Sequence, residues 1–211
     1  MVNVNPDVDQ TLRLQMAEGK VKIPSSTFAA HGNLVPTNAQ NASLLISSNT
    51  TCLKTMLSVL RKHVSLRLAT TRSIIERMNF FQNAGTWSYN VGGTRFPLRP
   101  VRTNVEAYAE LLKSFHAFSD VSGSGLPTLT FWTGNGMPTN GVPSYILAQD
   151  FERYSHKSGT AESGLNVSNM QICLECAFDA ARYEAYSVTT FIHMDYEIII
   201  DLMTGHAVSK Y

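Results

Sequence analysis

The chain has 211 residues, 44% of them hydrophobic, and its formal net charge is +1. This size predicts a single domain with a packed core, and the balanced charge argues against a strong attraction to nucleic acid or anionic membranes. No run approaches the roughly 18 apolar residues of a membrane span, and the N-terminus lacks a signal-peptide pattern, so we expect a soluble, non-secreted protein.

Two strands are predicted in the first third of the chain. Residues 1–19 are interpreted as an N-terminal arm or linker, and a single domain is predicted over 20–211. Residues 20–23 (KVKI) alternate as a short strand that Pro24 is expected to end. Residues 50–60 alternate over a longer run, which predicts a strand with one face more apolar than the other. Residues 64–85 give mixed signals and are interpreted as a long connection between strands.

A hairpin is predicted next. Residues 87–91 and 94–96 alternate on either side of Gly92-Gly93. A Gly-Gly pair accepts the positive φ angles of a two-residue turn, so these runs are expected to pair as antiparallel strands. Pro97 and Pro100 are expected to end the ladder because proline has no backbone N–H to donate.

One α-helix is predicted over about 103–118. Thr103 or Asn104 can cap its first turn. Helical spacing then places apolar and charged residues on different sides. The apolar stripe, which is expected to be buried, comprises Tyr108, Leu111, Leu112 and Phe115. The side chains expected to face water are Glu106, Glu110 and Lys113.

The remainder of the chain is predicted to be a long loop followed by strands. Residues 119–143 are rich in Gly, Pro, Ser, Thr and Asn, which indicates a loop that carries function or contacts. Strands are predicted at 145–151, 170–178, 188–195 and 196–202, with a turn at Thr204-Gly205 before a last strand ending at Tyr211. The whole pattern predicts an all-β fold, a jelly-roll β-sandwich of about eight antiparallel strands with one inserted helix.

A basic stretch lies within this pattern. Between 54 and 102 there are nine basic residues and one acidic residue. They are spread over several predicted elements rather than one face, so the main expectation is contact with acidic surfaces, and weak nucleic-acid contact is the lesser one.

Two short patterns resemble metal or acid–base sites. The three cysteines, Cys52, Cys173 and Cys176, are too few for a disulfide framework, and residues three apart on a strand point to opposite faces, so the CLEC pair is interpreted as buried free thiols. His193 and Asp195 share a face of their predicted strand, which suits metal ligands or an acid–base pair. With no third ligand nearby in sequence, a polar sheet face is the favoured interpretation.

Aromatic residues suggest a further alternative. A sugar-binding platform would need exposed rings, although aromatics at alternate strand positions are more often part of a core. The candidate rings are Trp87, Tyr89, Phe131 and Trp132. Nucleophile-elbow and phosphate-loop motifs are absent from the sequence.

Six short segments occur in a characteristic order. They are Pro24-Ser25-Ser26, CLKTMLSVLR at 52–61, WSYNVGGTRFPLRPV at 87–101, EAYAELLKSFH at 106–116, SYILAQDFER at 144–153 and SGLN at 163–166. Together they resemble the C-terminal jelly roll of double jelly-roll major capsid proteins of the Polinton/Maverick, adintovirus or virophage type. The resemblance extends from about Lys20 to the end of the chain. Members of that family carry two jelly rolls in tandem, whereas this chain has room for one.

The resemblance implies a structural capsid subunit without enzyme activity, cofactor or metal. Such a subunit would self-associate, as a homotrimer, contact other capsid subunits, and belong to a virion assembled in the host cytoplasm or nucleus. The residues predicted to make contacts are Phe131, Trp132, Arg99 and Arg102. Two alternatives stay open at this point: a lectin-like binding module that uses the 119–143 loop, and an enzyme on the same fold that uses His193 and Asp195.

Overall fold

The computed structural model describes residues 6–62, 85–115, 128–129, 132, 146–152, 164–178 and 185–210. Its helices are α1 (Pro6–Ala17) and α2 (Asn104–Ser114). Its strands are β1 (Lys20–Val35), β2 (Asn41–Ile46), β3 (Leu53–Lys62), β4 (Gly85–Val91), β5 (Thr94–Val101), β6 (Leu147–Asp150), β7 (Ile172–Phe178), β8 (Tyr186–Asp201) and β9 (Ala207–Lys210). Neither α1 nor α2 is long and apolar enough to cross a membrane.

The strands form two antiparallel sheets. The first sheet has the order β1-β8-β3-β6, and β9 pairs with β8 beyond the end of β3. The second sheet has the order β2-β7-β4-β5. Pairing is nested, because β1 pairs with β8, β2 with β7, β3 with β6, and β4 with β5. This is a long antiparallel ribbon rolled into two layers, so the predicted jelly roll is confirmed.

The core lies between the two sheets. On β7 every second residue is buried, as its alternation predicts, which places Ile172, Leu174, Cys176 and Phe178 in the core. The hydroxyl groups of Tyr89 on β4 and Ser58 on β3 are 2.7 Å apart, and Ser58 is also 2.7 Å from the Thr190 hydroxyl on β8. These hydrogen bonds connect the sheets and satisfy polar groups that have no access to water.

Two strands continue through prolines that were expected to end them. β1 runs from Lys20 to Val35 through Pro24, and β5 runs to Val101 through Pro97 and Pro100. The predicted strand end at Pro24 was wrong. The predicted end of the hairpin ladder was right in part, because β4 and β5 stop pairing after Phe96 and pair again only at Val101, although β5 itself continues. β1 and β5 are edge strands of their sheets, and an edge strand tolerates proline where its backbone faces away from the neighbouring strand.

Three other elements differ from the prediction. The two strands predicted at 188–195 and 196–202 are one continuous strand, β8. β2 was not predicted, and α1 lies within the residues interpreted as an arm. The domain boundary at residue 20 stays a prediction, and so does the connection at 64–84, which lies outside the described residues.

Helix α2 begins as predicted but buries a different face. Thr103 is the N-cap, and its side chain and that of Glu106 form a capping box. The buried residues are Ala107, Glu110, Leu111 and Ser114, whereas Phe115 is 43% exposed. The prediction that Glu110 faces water was therefore wrong. Because α2 packs against β6, tertiary contact selects the buried face, and Lys113 pairs with the Glu110 carboxylate.

Candidate functional site

His193 and Asp195 lie on β8 beside an ion-pair cluster. The Nζ atom of Lys54 on β3 is 2.9 Å from Asp195 Oδ2 and 3.6 Å from Glu152 Oε1. The Cys52 thiol is 3.8 Å from the same Asp195 oxygen. Asp195 is thus engaged by an ammonium group and a thiol, rather than by His193.

The electrostatics of this cluster favour a charged lysine and a neutral histidine. Partial burial works to lower the pKa of Lys54, but the hydrogen bond and charge of Asp195, together with the charge of Glu152, outweigh it and leave this pKa above its ordinary value. Burial, followed by the charge of Lys54, lowers the pKa of His193. The imidazole stacks on Phe28 of β1, with ring centroids 4.5 Å apart.

This geometry is that of a structural ion-pair cluster. An acid–base pair needs the carboxylate within hydrogen-bonding reach of the imidazole, and a metal site needs several converging ligands. Among the residues that the structure describes, no three His, Cys, Asp or Glu side chains are arranged so that they could hold a metal ion. Cys173 and Cys176 lie on opposite faces of β7, as predicted, and both are free thiols. Cys176 is buried, but Cys173 is partly exposed, so the prediction of two buried thiols was right only for Cys176.

The predicted aromatic platform does not form on the surface. Trp87 and Tyr89 are 1% and 0% exposed and point into the core, because both occupy inward positions on β4. Trp132 is also fully buried and packs against Tyr108 of α2, with ring centroids 5.5 Å apart. The prediction that Trp132 makes external contacts was therefore wrong. Phe131 and most of the 119–143 loop lie outside the described residues.

Arg99 and Arg102 do lie on the surface. They flank the end of β5, where Leu98 is 85% exposed and Val105 at the start of α2 is 66% exposed. We call these four residues the β5–α2 surface. Neither arginine forms an ion pair with another described residue, whereas the nearby Arg95 is 3.1 Å from Glu175. These four residues therefore present two cations and two apolar side chains, and the exposed Glu106 carboxylate lies beside them, accepting a hydrogen bond from the Arg102 backbone N–H at 2.8 Å.

The described cations of the 54–102 stretch do not share one face. Lys54 and Arg61 belong to β3 in the first sheet, and Arg95 and Arg99 belong to β5 in the second. Lys54 and Arg95 are already paired with carboxylates. Only the end of β5 therefore presents more than one exposed arginine in the part of this stretch that the structure describes.

The outer side of the second sheet has a shallow polar depression. Its volume is about 450 Å³, and its polar lining includes Asn41, Ser43, Thr86, Ser88, Arg95 and Glu175. Trp87, its aromatic lining residue, is almost completely buried, so no ring is presented for stacking on a sugar.

Comparison with solved structures identifies the fold. The mavirus major capsid protein matches with a TM-score of 0.51 and 8% identity, over 91% of this chain and 41% of that chain. This chain has the fold of a viral capsid protein. At so low an identity the likeness concerns the fold alone.

Two further structures match less well. A chain of the Sputnik virophage matches with a TM-score of 0.48 and 13% identity, over 91% of this chain and 39% of that chain. The PBCV-1 virus capsid matches with a TM-score of 0.49 and 10% identity, over 96% of this chain and 54% of that chain. This chain therefore spans about two fifths of the mavirus and Sputnik chains. No protein-family model and no curated protein matches the sequence.

Sequence reasoning missed a second exposed surface, where β1 and β8 extend past the core. β8 alternates between buried and partly exposed residues only as far as Met194, and from Asp195 to Asp201 none of its residues is buried. Its apolar run Ile198–Ile200 pairs with β1 and β9. Three consecutive isoleucines do not alternate, and that was the available signal that both faces of this segment are apolar.

Proposed function

We propose that this protein is a structural subunit of a viral or virus-derived capsid. The observation that carries the proposal is the nested strand pairing of a jelly roll, in a fold that resembles the mavirus major capsid protein over 91% of the chain. A jelly roll is a rigid wedge with exposed ends, and shells form when such wedges bury symmetric interfaces. The subunit acts by self-association rather than by chemistry.

The ion-pair cluster supports a structural role. Lys54 joins Asp195 of β8 to Glu152, which follows β6, and so links three strands of the first sheet. Its charged groups satisfy one another, which is what a stable scaffold requires of half-buried charges.

The proposed assembly has several levels. Copies of the chain form capsomers, for which a homotrimer is the state that the family resemblance implies, and capsomers contact other capsid subunits within a virion. Assembly takes place in the host cytoplasm or nucleus. The β5–α2 surface supports such contacts, because exposed Leu98 and Val105 offer apolar area while Arg99 and Arg102 select an acidic partner surface. The same arginines support weak, salt-sensitive contact with nucleic acid.

Light scattering combined with negative-stain electron microscopy tests this proposal. Purified protein measured over a wide concentration range is expected to form discrete oligomers or shells. Arg99→Glu/Arg102→Glu is expected to weaken assembly, and Lys20→Glu/Lys22→Glu, which reverses two exposed cations on β1, serves as the charge-matched control. A wild-type protein that stays strictly monomeric at all concentrations would overturn the capsid proposal.

A further inference from the structure

The polar depression on the outer side of the second sheet has the dimensions of a small-molecule site. Residues of all four strands of this sheet line it, and its volume of about 450 Å³ lies within the roughly 300–1,000 Å³ of ligand pockets. Strand register places Ser43 of β2, Glu175 of β7 and Ser88 of β4 in one row across this face. The two serines are small, so they leave space above the sheet.

Ser88 is buried at the depression without a hydrogen-bond partner. Its neighbours Trp87 and Tyr89 belong to the core, whereas Ser88 lines the depression. It is only 2% exposed, and its hydroxyl group forms no hydrogen bond with another described residue. A buried hydroxyl group without a partner costs free energy. A ligand in the depression can supply the hydrogen bond that the protein does not.

Three further polar side chains of the depression are also available to a ligand. Those of Asn41, Ser43 and Thr86 form no hydrogen bonds with other described residues. Hydroxyl and amide groups both donate and accept hydrogen bonds. The lining therefore matches a ligand whose own groups donate and accept in the same way, as the hydroxyl groups of a sugar or polyol do.

The charged groups at the depression favour a neutral ligand over an ionic one. Arg95 Nη2 donates to Glu175 Oε2 at 3.1 Å, and Asn90 Nδ2 donates to Glu175 Oε1 at 3.0 Å. An anion would compete with Glu175 for Arg95, and a cation would compete with Arg95 for Glu175. A carboxylate has about four lone-pair sites, so Glu175 can still accept a hydrogen bond from a ligand hydroxyl group.

We propose that this depression binds a small neutral polyhydroxylated molecule, a sugar or polyol, through hydrogen bonds to Ser88, Ser43 and Thr86. Trp87 is buried and no ring stacks on the ligand, so the dissociation constant is expected to be about 1–10 mM. Binding needs only one copy of the chain. The inference is therefore independent of self-association and goes beyond the proposed capsid role.

Saturation-transfer difference NMR tests the proposal, because it detects weak ligands of monomers and of large assemblies alike. The neutral probes are glucose, galactose, mannose and inositol, and glucuronate and glucosamine are the anionic and cationic analogues of glucose. At least one neutral probe is expected to bind saturably, and glucuronate and glucosamine are expected to bind more weakly than glucose.

A matched pair of serine variants locates the binding. Ser88→Ala removes one hydroxyl group and is expected to raise the dissociation constant of the bound probe by about threefold to tenfold. Ser187→Ala is the control, since Ser187 is partly exposed on β8 in the first sheet, and it is expected to leave this constant unchanged.

Thermal unfolding separates a binding role of Ser88 from a structural one. Ser88→Ala is expected to be at least as stable as wild type, because the lost hydroxyl group has no partner among the described residues. A destabilised Ser88→Ala would overturn the proposal. So would the absence of saturable binding by all four neutral probes, tighter binding of a charged analogue than of glucose, or an equal loss in Ser187→Ala. Each of these results would leave the capsid proposal standing.

Discussion

The two halves of β8 lie in contrasting environments. In the first half, Val188, Thr190 and Ile192 are at most 1% exposed between the two sheets. In the second half, Ile198, Ile199 and Ile200 are all partly exposed, although they are at least as apolar and are paired with strands on both sides. Backbone pairing therefore continues along the whole strand, while burial stops near Met194.

The two halves of β8 are therefore stabilised in different ways. The sandwich stabilises itself, because each apolar residue on one sheet packs against the other sheet. From Asp195 to Asp201 no residue of β8 is buried in the part of the chain that the structure describes, so backbone hydrogen bonds maintain the strand there while its apolar groups stay partly exposed.

The largest expected effect compares two isoleucines of β8. Ile192→Ala removes a side chain that is 1% exposed and is expected to lower the free energy of unfolding by about 2–5 kcal/mol. Ile200→Ala, eight residues along the same strand, is expected to cost less than about 1.5 kcal/mol in dilute monomer, because less area is buried there. Urea unfolding measures both. Equal losses would show that this end of β8 is as tightly packed as the sandwich.

A glycine at the border between the two regions is expected to give the next largest effect. A Cβ atom at Gly164 would lie 2.6 Å from Cys52 Sγ and 2.8 Å from the Leu53 carbonyl oxygen. Gly164→Ala is therefore expected to destabilise the protein by about 1–3 kcal/mol through overpacking. Gly32→Ala is the control, since nothing lies within 4 Å of its Cβ position. Thermal unfolding distinguishes them, and a tolerated Gly164→Ala would contradict the close approach.

The hydrogen bond between the sheets gives a smaller effect. Tyr89→Phe is expected to cost about 1 kcal/mol, because Ser58 keeps its bond to Thr190. Burial raises the pKa of Tyr89 above its ordinary value. As the pH rises above about 10, the unfolded chain loses this proton first, so stability is full below that pH and falls above it. Denaturation between pH 8 and 11 is expected to show a shallower decline in Tyr89→Phe, and parallel curves would contradict this account.

The smallest expected effect concerns the ion-pair cluster beside Asp195. Lys54→Met removes the positive charge that helps burial to lower the pKa of His193, so this pKa is expected to rise. NMR titration of the imidazole resonances measures the change. Lys22→Met, on β1, is the matched control and is expected to leave the His193 titration unaltered. A lower pKa in Lys54→Met would show that the freed carboxylates do not act on the imidazole as the geometry indicates.

The sequence predicted most strongly those features that depend on neighbouring residues. Alternation on β7, the Gly92-Gly93 hairpin turn and the Thr103 cap are all present in the structure, with φ of +57° and +87° at the two glycines. Pro24 misled the prediction, because whether a proline breaks a ladder depends on which strand edge its backbone faces. The buried side of α2 was misplaced for a similar reason, since β6, which is distant in sequence, selects it.

For the candidate sites too, the sequence predicted what depends on neighbouring residues and missed what depends on contacts between distant parts of the chain. Spacing placed His193 and Asp195 on one face correctly, yet only the fold brings Lys54 to Asp195 and Phe28 to His193. Spacing also could not distinguish the buried Trp132 from the exposed Arg99 and Arg102, because exposure depends on packing from other parts of the chain.

The sequence by itself determined an all-β chain of jelly-roll type, since strand alternation and turn residues are local and each strand has to bury one face. Only the tertiary structure decided where that burial ends. The extent of the opposing sheet is set by contacts between distant strands, and those contacts leave Ile198–Ile200 and Met203 outside the core while Ile192 lies within it.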